Sequence, residues 1–273
     1  MALSFASLNS GSNGNCYYLA NEKDAIFVDA GLSCKETERR MARMGLSMEK
    51  VRAIFVSHEH SDHIRGIPVL SKKYRLPVYI TQRTLKSTGF ELDEQLVRHF
   101  NANEEILIGE LSVLGFPKFH DAADPHSFTV SCRGVRVGVF TDIGTPCDHL
   151  IHHLSGCHAA FLEANYDEDM LDKGTYPYHL KARIRGGNGH LSNRQAFEIF
   201  QEMGTQMSHL LLSHLSRDNN KPELVLDLFG EIAGNTEIVV ASRYCESKVY
   251  HIGKNDKKLM SGMMRPVQYS LFD

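Results

Sequence analysis

The tightest constraint on this chain is the segment Ser57-His58-Glu59-His60-Ser61-Asp62-His63, which directly follows the apolar run Val51 to Val56. A short apolar run of this kind predicts a buried strand. Three imidazoles and two carboxylates, Glu59 and Asp62, within six residues make a poor continuation of a core element, because polar groups buried without partners are costly. They make a good metal site. Neutral imidazole nitrogen and carboxylate oxygen together suit zinc, manganese or iron. A bound cation also lets several titratable groups crowd together without mutual repulsion. The competing reading, a solvated polar loop, would leave the histidines and acids further along the chain without a common purpose.

The 273 residues, 42% of them hydrophobic, suffice for one domain with a full core. A net charge of −3 excludes a global basic field for nucleic acid but not a local basic face. The six cysteines (Cys16, Cys34, Cys132, Cys147, Cys157 and Cys245) include no C-x-x-C pair. They are expected to be buried thiols in a reducing compartment, the cytoplasm. No basic, apolar leader is visible at the start and no apolar run is long enough to span a membrane, so no membrane association is expected.

In chain order, strands are expected at 3–8, 16–20, 24–28, 51–56, 77–81, 105–108, 111–116, 127–132, 135–140, 159–162, 209–212, 238–241 and 248–252, with a hairpin turn at Arg133-Gly134. Helices are expected from 34 to 44 behind the cap Ser33, and over 64–75, 147–154, 194–203 behind Ser192 or Asn193, and 222–232 opening on Pro222. Residues 85–100 read as a helix and a loop. The glycine-rich stretch 9–15, containing Ser12 and Asn13, has backbone amides that can face an anion; a plain hairpin turn is the competing reading. Acids and imidazoles recur at the ends of apolar strands: Asp29, His58, Asp142, Glu163 and His214. Brought to one sheet edge, they would converge. His120 lies in the connection between two strands, with His126 close behind it. The pattern as a whole predicts two β-rich halves with helices outside them.

The His-x-His-x-Asp-His segment after a strand, the upstream Asp29 and the later His120, Asp142 and His214 resemble the metallo-β-lactamase superfamily, over about residues 3 to 252. Within it, Leu8-Asn9-Ser10-Gly11-Ser12-Asn13-Gly14-Asn15, Phe161-Leu162-Glu163-Ala164-Asn165-Tyr166-Asp167 and Gly189-His190-Leu191-Ser192-Asn193 are most similar to the bacterial YycJ/WalJ-type proteins, relatives of tRNase Z regarded as DNA exonucleases. The resemblance implies a four-layer αββα sandwich of α/β (α+β) class spanning residues 1–255. It implies two divalent ions (zinc, manganese or iron), one held by His58, His60 and His120, the other by Asp62, His63 and His214, with Asp142 bridging. A metal-bridged hydroxide would be the nucleophile, Asp62 would help to orient or deprotonate it, and Asp29 would hold ligands in place. Glu163 and His190 match the pair that protonates the leaving oxygen. The implied activity is a phosphodiesterase, in the first instance a 5′-to-3′ DNA exonuclease of repair or replication.

Two further features bear on partners. Lys181, Arg183 and Arg185 precede His190 in a basic, glycine-rich segment with Tyr176 and Tyr178, a composition that can grip a phosphate backbone and stack a base. A solvated loop is the alternative. The last residues, 256–273, form a tail in which Gln268-Tyr269-Ser270-Leu271-Phe272 resembles the peptide by which bacterial polymerases and repair proteins bind the sliding clamp. Gln268, Leu271 and Phe272 would be its anchors. Rival readings are a small-molecule or cyclic-phosphate phosphodiesterase, an RNA-processing nuclease and a non-catalytic clamp-associated regulatory protein. The 72 residues between Asp142 and His214 leave no room for an inserted β-CASP domain.

Overall fold

The computed structural model describes residues 2–203 and 207–253. Fourteen strands form two seven-stranded sheets among the described residues. The first sheet contains β1 (Leu3–Asn9), β2 (Cys16–Ala20), β3 (Ala25–Val28), β4 (Val51–Phe55), β5 (Val78–Tyr79) and β6 (Val97–Arg98). The second contains β7 (Glu105–Ile108), β8 (Leu111–Pro117), β9 (His126–Cys132), β10 (Val135–Phe140), β11 (Ala159–Glu163), β12 (His209–Ser213) and β13 (Glu237–Val240). Strand β14 (Tyr250–Ile252) returns to pair with β1 at the edge of the first sheet.

Alternation along the strands explains the layering. Ile26 and Val28 of β3, Ala53 and Phe55 of β4, and Phe161 of β11 face one shared core between the sheets. Phe27 and Ile54 point outward to a second core beneath α1 (Cys34–Arg43) and, beyond the short α2 (Ser61–Ile64), α3 (Ile67–Tyr74). A small helix α4 (Gln82–Ser87) follows. Phe140, Ala160 and Leu162 face a third core. It is covered by α5 (Asp148–Ser155) and, after α6 (Glu168–Lys173) and α7 (Tyr178–Arg185), by α8 (Asn193–Met203) and α9 (Pro222–Gly230). Three cores and four layers make the expected αββα sandwich. Aromatic contacts bind the sheets together: Phe161 meets Phe5 edge-on at 5.8 Å and Tyr17 at 4.8 Å.

Several local expectations are met by identifiable chemistry. Ser33 caps α1 by accepting from Glu36 N, and Gly45 follows that helix with φ +69°. Ser192 and Gln195 form a reciprocal box at the start of α8: Ser192 Oγ accepts from Gln195 N, and Gln195 Oε1 accepts from Ser192 N. The turn Arg133-Gly134 has positive φ at both positions, as a two-residue hairpin requires. Cys16, Cys34, Cys132 and Cys157 are buried thiols, Cys147 is half-buried and Cys245 is exposed, with no disulfide among them.

Two expectations are corrected. The helix expected over 64–75 is interrupted at Arg65-Gly66, because Gly66 N–H donates to Ala30 O and Pro68 starts a new helical turn. The stretch 85–100, read as a helix and a loop, also holds the short strand β6 at Val97–Arg98, which pairs with β5. The basic segment before His190, for which a solvated loop was the alternative, forms the helices α6 and α7. Gly174, Pro177 and Gly186 punctuate two short helices there, and α7 buries no residue, so no apolar stripe marks it in the sequence. Among the described residues no helix is long and apolar enough to cross a membrane. The tail 256–273, with Gln268, Leu271 and Phe272, lies outside the described residues.

Candidate metal centre and its cleft

Parallel pairing is what gathers the polar residues. β3 runs parallel to β4 with Val28 opposite Phe55. In the second sheet β10, β11 and β12 are parallel, with Phe140 opposite Leu162 and Glu163 opposite Ser213. The C-terminal ends of these strands therefore share one rim, where open sheets place ligands. Asp29 follows β3, His58 follows β4, Asp142 follows β10, Glu163 ends β11 and His214 follows β12. The β8–β9 hairpin, closed by Pro117 opposite His126, delivers His120 to the same rim. Asp29, Asp142 and His214 all have left-handed backbone, with φ of 60°, 54° and 56°. That conformation is costly for a non-glycine residue and is held here by the surrounding packing.

Asp29 orders the His-rich loop. Its Oδ1 accepts from Ser57 N at 2.8 Å, and its Oδ2 accepts from Ser57 Oγ and from His63 Nδ1, each at 2.7 Å. With its hydrogen committed to Asp29, the Ser57 hydroxyl accepts from His58 Nδ1 at 2.8 Å. His120 Nδ1 donates to the Gly189 carbonyl at 3.0 Å. Each of these imidazoles thus carries its proton on Nδ1 and turns Nε2 toward the rim, the arrangement found behind metal-binding histidines. Gly31 completes the fit: a Cβ there would lie 1.7 Å from the Asp62 carbonyl oxygen.

Donor atoms of His58, His60 and His120 lie within 4.8 Å of one another, and so do those of Asp62, His63 and His214. Asp142 groups with His58 and His63 on one side, and with Glu163, His190 and His214 on the other. His58 Nε2 is buried without a hydrogen-bond partner among the described residues, and His214 Nε2 and Asp142 Oδ2, also without a hydrogen bond, face only Asp62 Oδ2 at 3.5 Å and His63 Nε2 at 3.1 Å. Unsatisfied buried groups of this kind need an explanation, and a cation supplies one. The charges agree. Burial pushes His58 well below its ordinary 6.5 and His120 down to about 4, leaving neutral ligands. Burial would lower His63 too, but Asp142, Asp29 and Asp62 outweigh it and raise that imidazole to about 10. His214 is raised well above its ordinary value against the same opposition, with Asp142 the leading cause. The carboxylates thus draw protons onto two imidazoles, and a divalent cation would take the place of those protons. The residues fit a metal.

Glu163 is fully buried and has a second connection. Its Oε1 accepts from His190 Nδ1 at 2.8 Å and lies 3.0 Å from His214 Nδ1, while Oε2 accepts from Ile143 N and Leu191 N. Burial opposes ionisation of Glu163, but the His190 and His214 imidazoles hold its carboxyl down at about 2. A cleft of about 400 Å³ opens over the centre. Of the sequence candidates, His60, Asp62, Asp142, His190, His214, Ser12 and Arg183 line it. Arg183 is held there by Asp121 at 2.5 Å. Asn13, Lys181 and Arg185 are not among the lining residues: Asn13 donates to the Arg243 carbonyl, and Lys181 and Arg185 bond Asp172 of α6. His126 is buried edge-on against Phe100, apart from the cluster.

Sequence reasoning missed four contributors. Ser57 transmits Asp29 to His58. Asn15 donates to Asp62 Oδ2 at 3.1 Å and accepts from Gly11 N at 2.9 Å. Asn165 lines the cleft and donates to the His214 carbonyl at 2.8 Å. Lys118 is buried with its amine on the Thr141 carbonyl at 2.6 Å. The motifs held the only usable signal, since Ser57 adjoins His58 and Asn165 follows Glu163 by two positions.

Residues 25–215 match the family model described as a beta-lactamase superfamily domain. The chain belongs to the metallo-β-lactamase superfamily. It is 36% identical over 230 residues to the exodeoxyribonuclease YycJ of Bacillus anthracis, covering 82% of this chain and 86% of that one. It is 32% identical over 226 residues to the exodeoxyribonuclease WalJ of Streptococcus pneumoniae serotype 2, covering 81% and 84%. The crystal structure of the metallo-β-lactamase fold protein YhfI from Bacillus subtilis shares the fold, with a TM-score of 0.71 at 15% identity over 92% of this chain and 99% of that one. Superfamily membership makes the chain an enzyme of the metal-dependent hydrolase class.

The Asp29 contacts generate a test. Asp29→Asn keeps a side chain that tolerates left-handed backbone but sets an amide donor against groups that already donate. Zinc affinity by isothermal titration is expected to fall about 10- to 100-fold; unchanged affinity would remove Asp29 from the scheme.

Proposed function

We propose that this chain is a phosphodiesterase with two divalent ions that removes nucleotides from DNA, acting 5′ to 3′ in repair or replication in the cytosol. The observation that carries this reading is the His190–Glu163 pair beside the candidate metal cluster, on one cleft with it. Hydrolysis of a thioester, whose thiolate departs readily without a proton, asks less for a separate acid than expulsion of a sugar alkoxide does. The names of the two relatives, both exodeoxyribonucleases at over 30% identity, support the same substrate class.

In this reading His58, His60 and His120 would hold one ion, Asp62, His63 and His214 the other, with Asp142 available to both. Two such ions, of zinc, manganese or iron for this donor set, would supply an activated water and a clamp for phosphate charge. The protein does the rest. Asp62, steadied by Asn15, orients the attacking oxygen. Arg183, steadied by Asp121, faces the incoming phosphate. Glu163 accepts from His190 Nδ1 and so aims the other ring nitrogen, Nε2, as the proton donor to the departing oxygen. Asp29 and Ser57 keep the His58 and His63 rings in place. The tail peptide at Gln268, Leu271 and Phe272 would deliver the enzyme to a sliding clamp, a reading supported by its sequence alone.

Metal-loaded protein is expected to degrade 5′-phosphorylated DNA in preference to RNA and to a small phosphodiester, with Asp62→Ala inactive. Turnover of the small ester only would sink the nuclease reading. His190→Ala should lower kcat on DNA by about 10²- to 10⁴-fold, and by far less on a p-nitrophenyl phosphodiester, whose leaving group needs no proton. Equal losses on both would exclude His190 as the acid. Deleting residues 268–273 should abolish binding to a bacterial sliding clamp and spare hydrolysis of free DNA; retained clamp affinity would reject the tail as the contact.

A further inference from the structure

One turn beside the cleft is not used by the chemistry above. Arg243 reaches Ser12, a cleft-lining residue, with Nη2 at 3.4 Å from Ser12 Oγ. Arg243 Nη1 is buried without a hydrogen-bond partner among the described residues. Arg65 approaches the other side of the same loop, donating to the Asn13 carbonyl at 2.8 Å. Neither arginine forms an ion pair among the described residues, a state they share with Arg83, Arg98 and Arg136, but these two alone of the five hydrogen-bond to the loop 9–15.

The backbone that presents Arg243 is tightly held. Its carbonyl accepts from Asn13 Nδ2 at 2.8 Å, and the carbonyl of Ser242 accepts from Ser10 N at 3.1 Å. The carbonyl of Tyr244 accepts from the buried Arg40 at 3.1 Å. On this fixed turn Tyr244 is 74% exposed, its ring centroid 6.0 Å from the Arg243 guanidinium carbon. A largely exposed aromatic on held backbone leaves much of its ring open to a planar partner. Two guanidinium groups without carboxylates and an open aromatic ring match the alternating chemistry of a nucleic-acid strand: phosphates for the first, a base for the second.

We propose that Arg243, Arg65 and Tyr244 form a docking track for single-stranded DNA outside the metal centre, with the arginines on phosphates and Tyr244 stacked on a base. The proposal rests on the nuclease reading and adds where the rest of the strand lies. The loop 9–15 serves as the support between track and cleft. Within that loop the Gly11 amide is bonded to Asn15 Oδ1 and the Gly14 amide to the Gly11 carbonyl.

The test measures affinity, by fluorescence anisotropy, of metal-loaded protein for an uncleavable phosphorothioate single strand of 12 nucleotides across a salt series. Arg243→Gln is expected to weaken binding about tenfold and to flatten the plot of log affinity against log salt by about 0.7, one phosphate contact on a single strand. Arg243→Lys should restore the slope. Tyr244→Ala should weaken binding about tenfold with the slope unchanged, and Tyr244→Phe should bind as the parent does. Slope and affinity unmoved in Arg243→Gln would overturn the track while leaving the nuclease reading in place. Failure of the parent protein to bind the strand at all would overturn both.

Discussion

Everything at the rim depends on keeping charge buried. Asp29, Asp142 and Glu163 are almost wholly removed from solvent, and Asp62 is nearly so. Isolated carboxylates in such a place would be strongly destabilising, so each must be answered by a cation or by donors. Asp29 is answered by Ser57 and His63, Glu163 by His190, His214 and two backbone amides, and Asp142 by the imidazoles of His63 and His214. The same requirement selects for a divalent cation and sets the orientation of the rings around it.

The fold exists to make that concentration possible. Parallel β3–β4 and β10–β11–β12 bring strand ends to one rim, and three separate apolar cores hold those strands at fixed register. The left-handed backbone at Asp29, Asp142 and His214 is the local cost, sustained because the neighbouring strands leave little room for relaxation. In the proposed reading substrate would be handled by less regular pieces: α6 and α7, the loop 9–15 and the turn at Ser242 to Tyr244. Such a division would suit chemistry that needs rigidity and a long substrate threaded past it.

Much of this was legible in the chain. The cluster at His58–His63 pointed to a loop with a cation-like need, and the nearly continuous apolar runs of β3, β4 and β11 fit strands buried on both faces. Caps at Ser33 and Ser192 and the turn at Arg133-Gly134 were readable because local hydrogen bonding decides them. Helices α6 and α7 were not, since they are short and α7 turns no apolar stripe toward a core. Arg243 was equally silent: an arginine in the sequence is ordinary, and its lack of a carboxylate partner is a property of what surrounds it.

By itself, then, the sequence determined the types of donor available, their order along the chain and the strand ends on which they sit, because residue chemistry and periodicity are local. Only the tertiary structure decided which donors meet. It paired Asp29 with His63 across 34 positions, Glu163 with His214 across 51 and Ser12 with Arg243 across 231. Those distances are closed by the register of parallel strands and the packing of two sheets, and neither leaves a mark on any short stretch of residues.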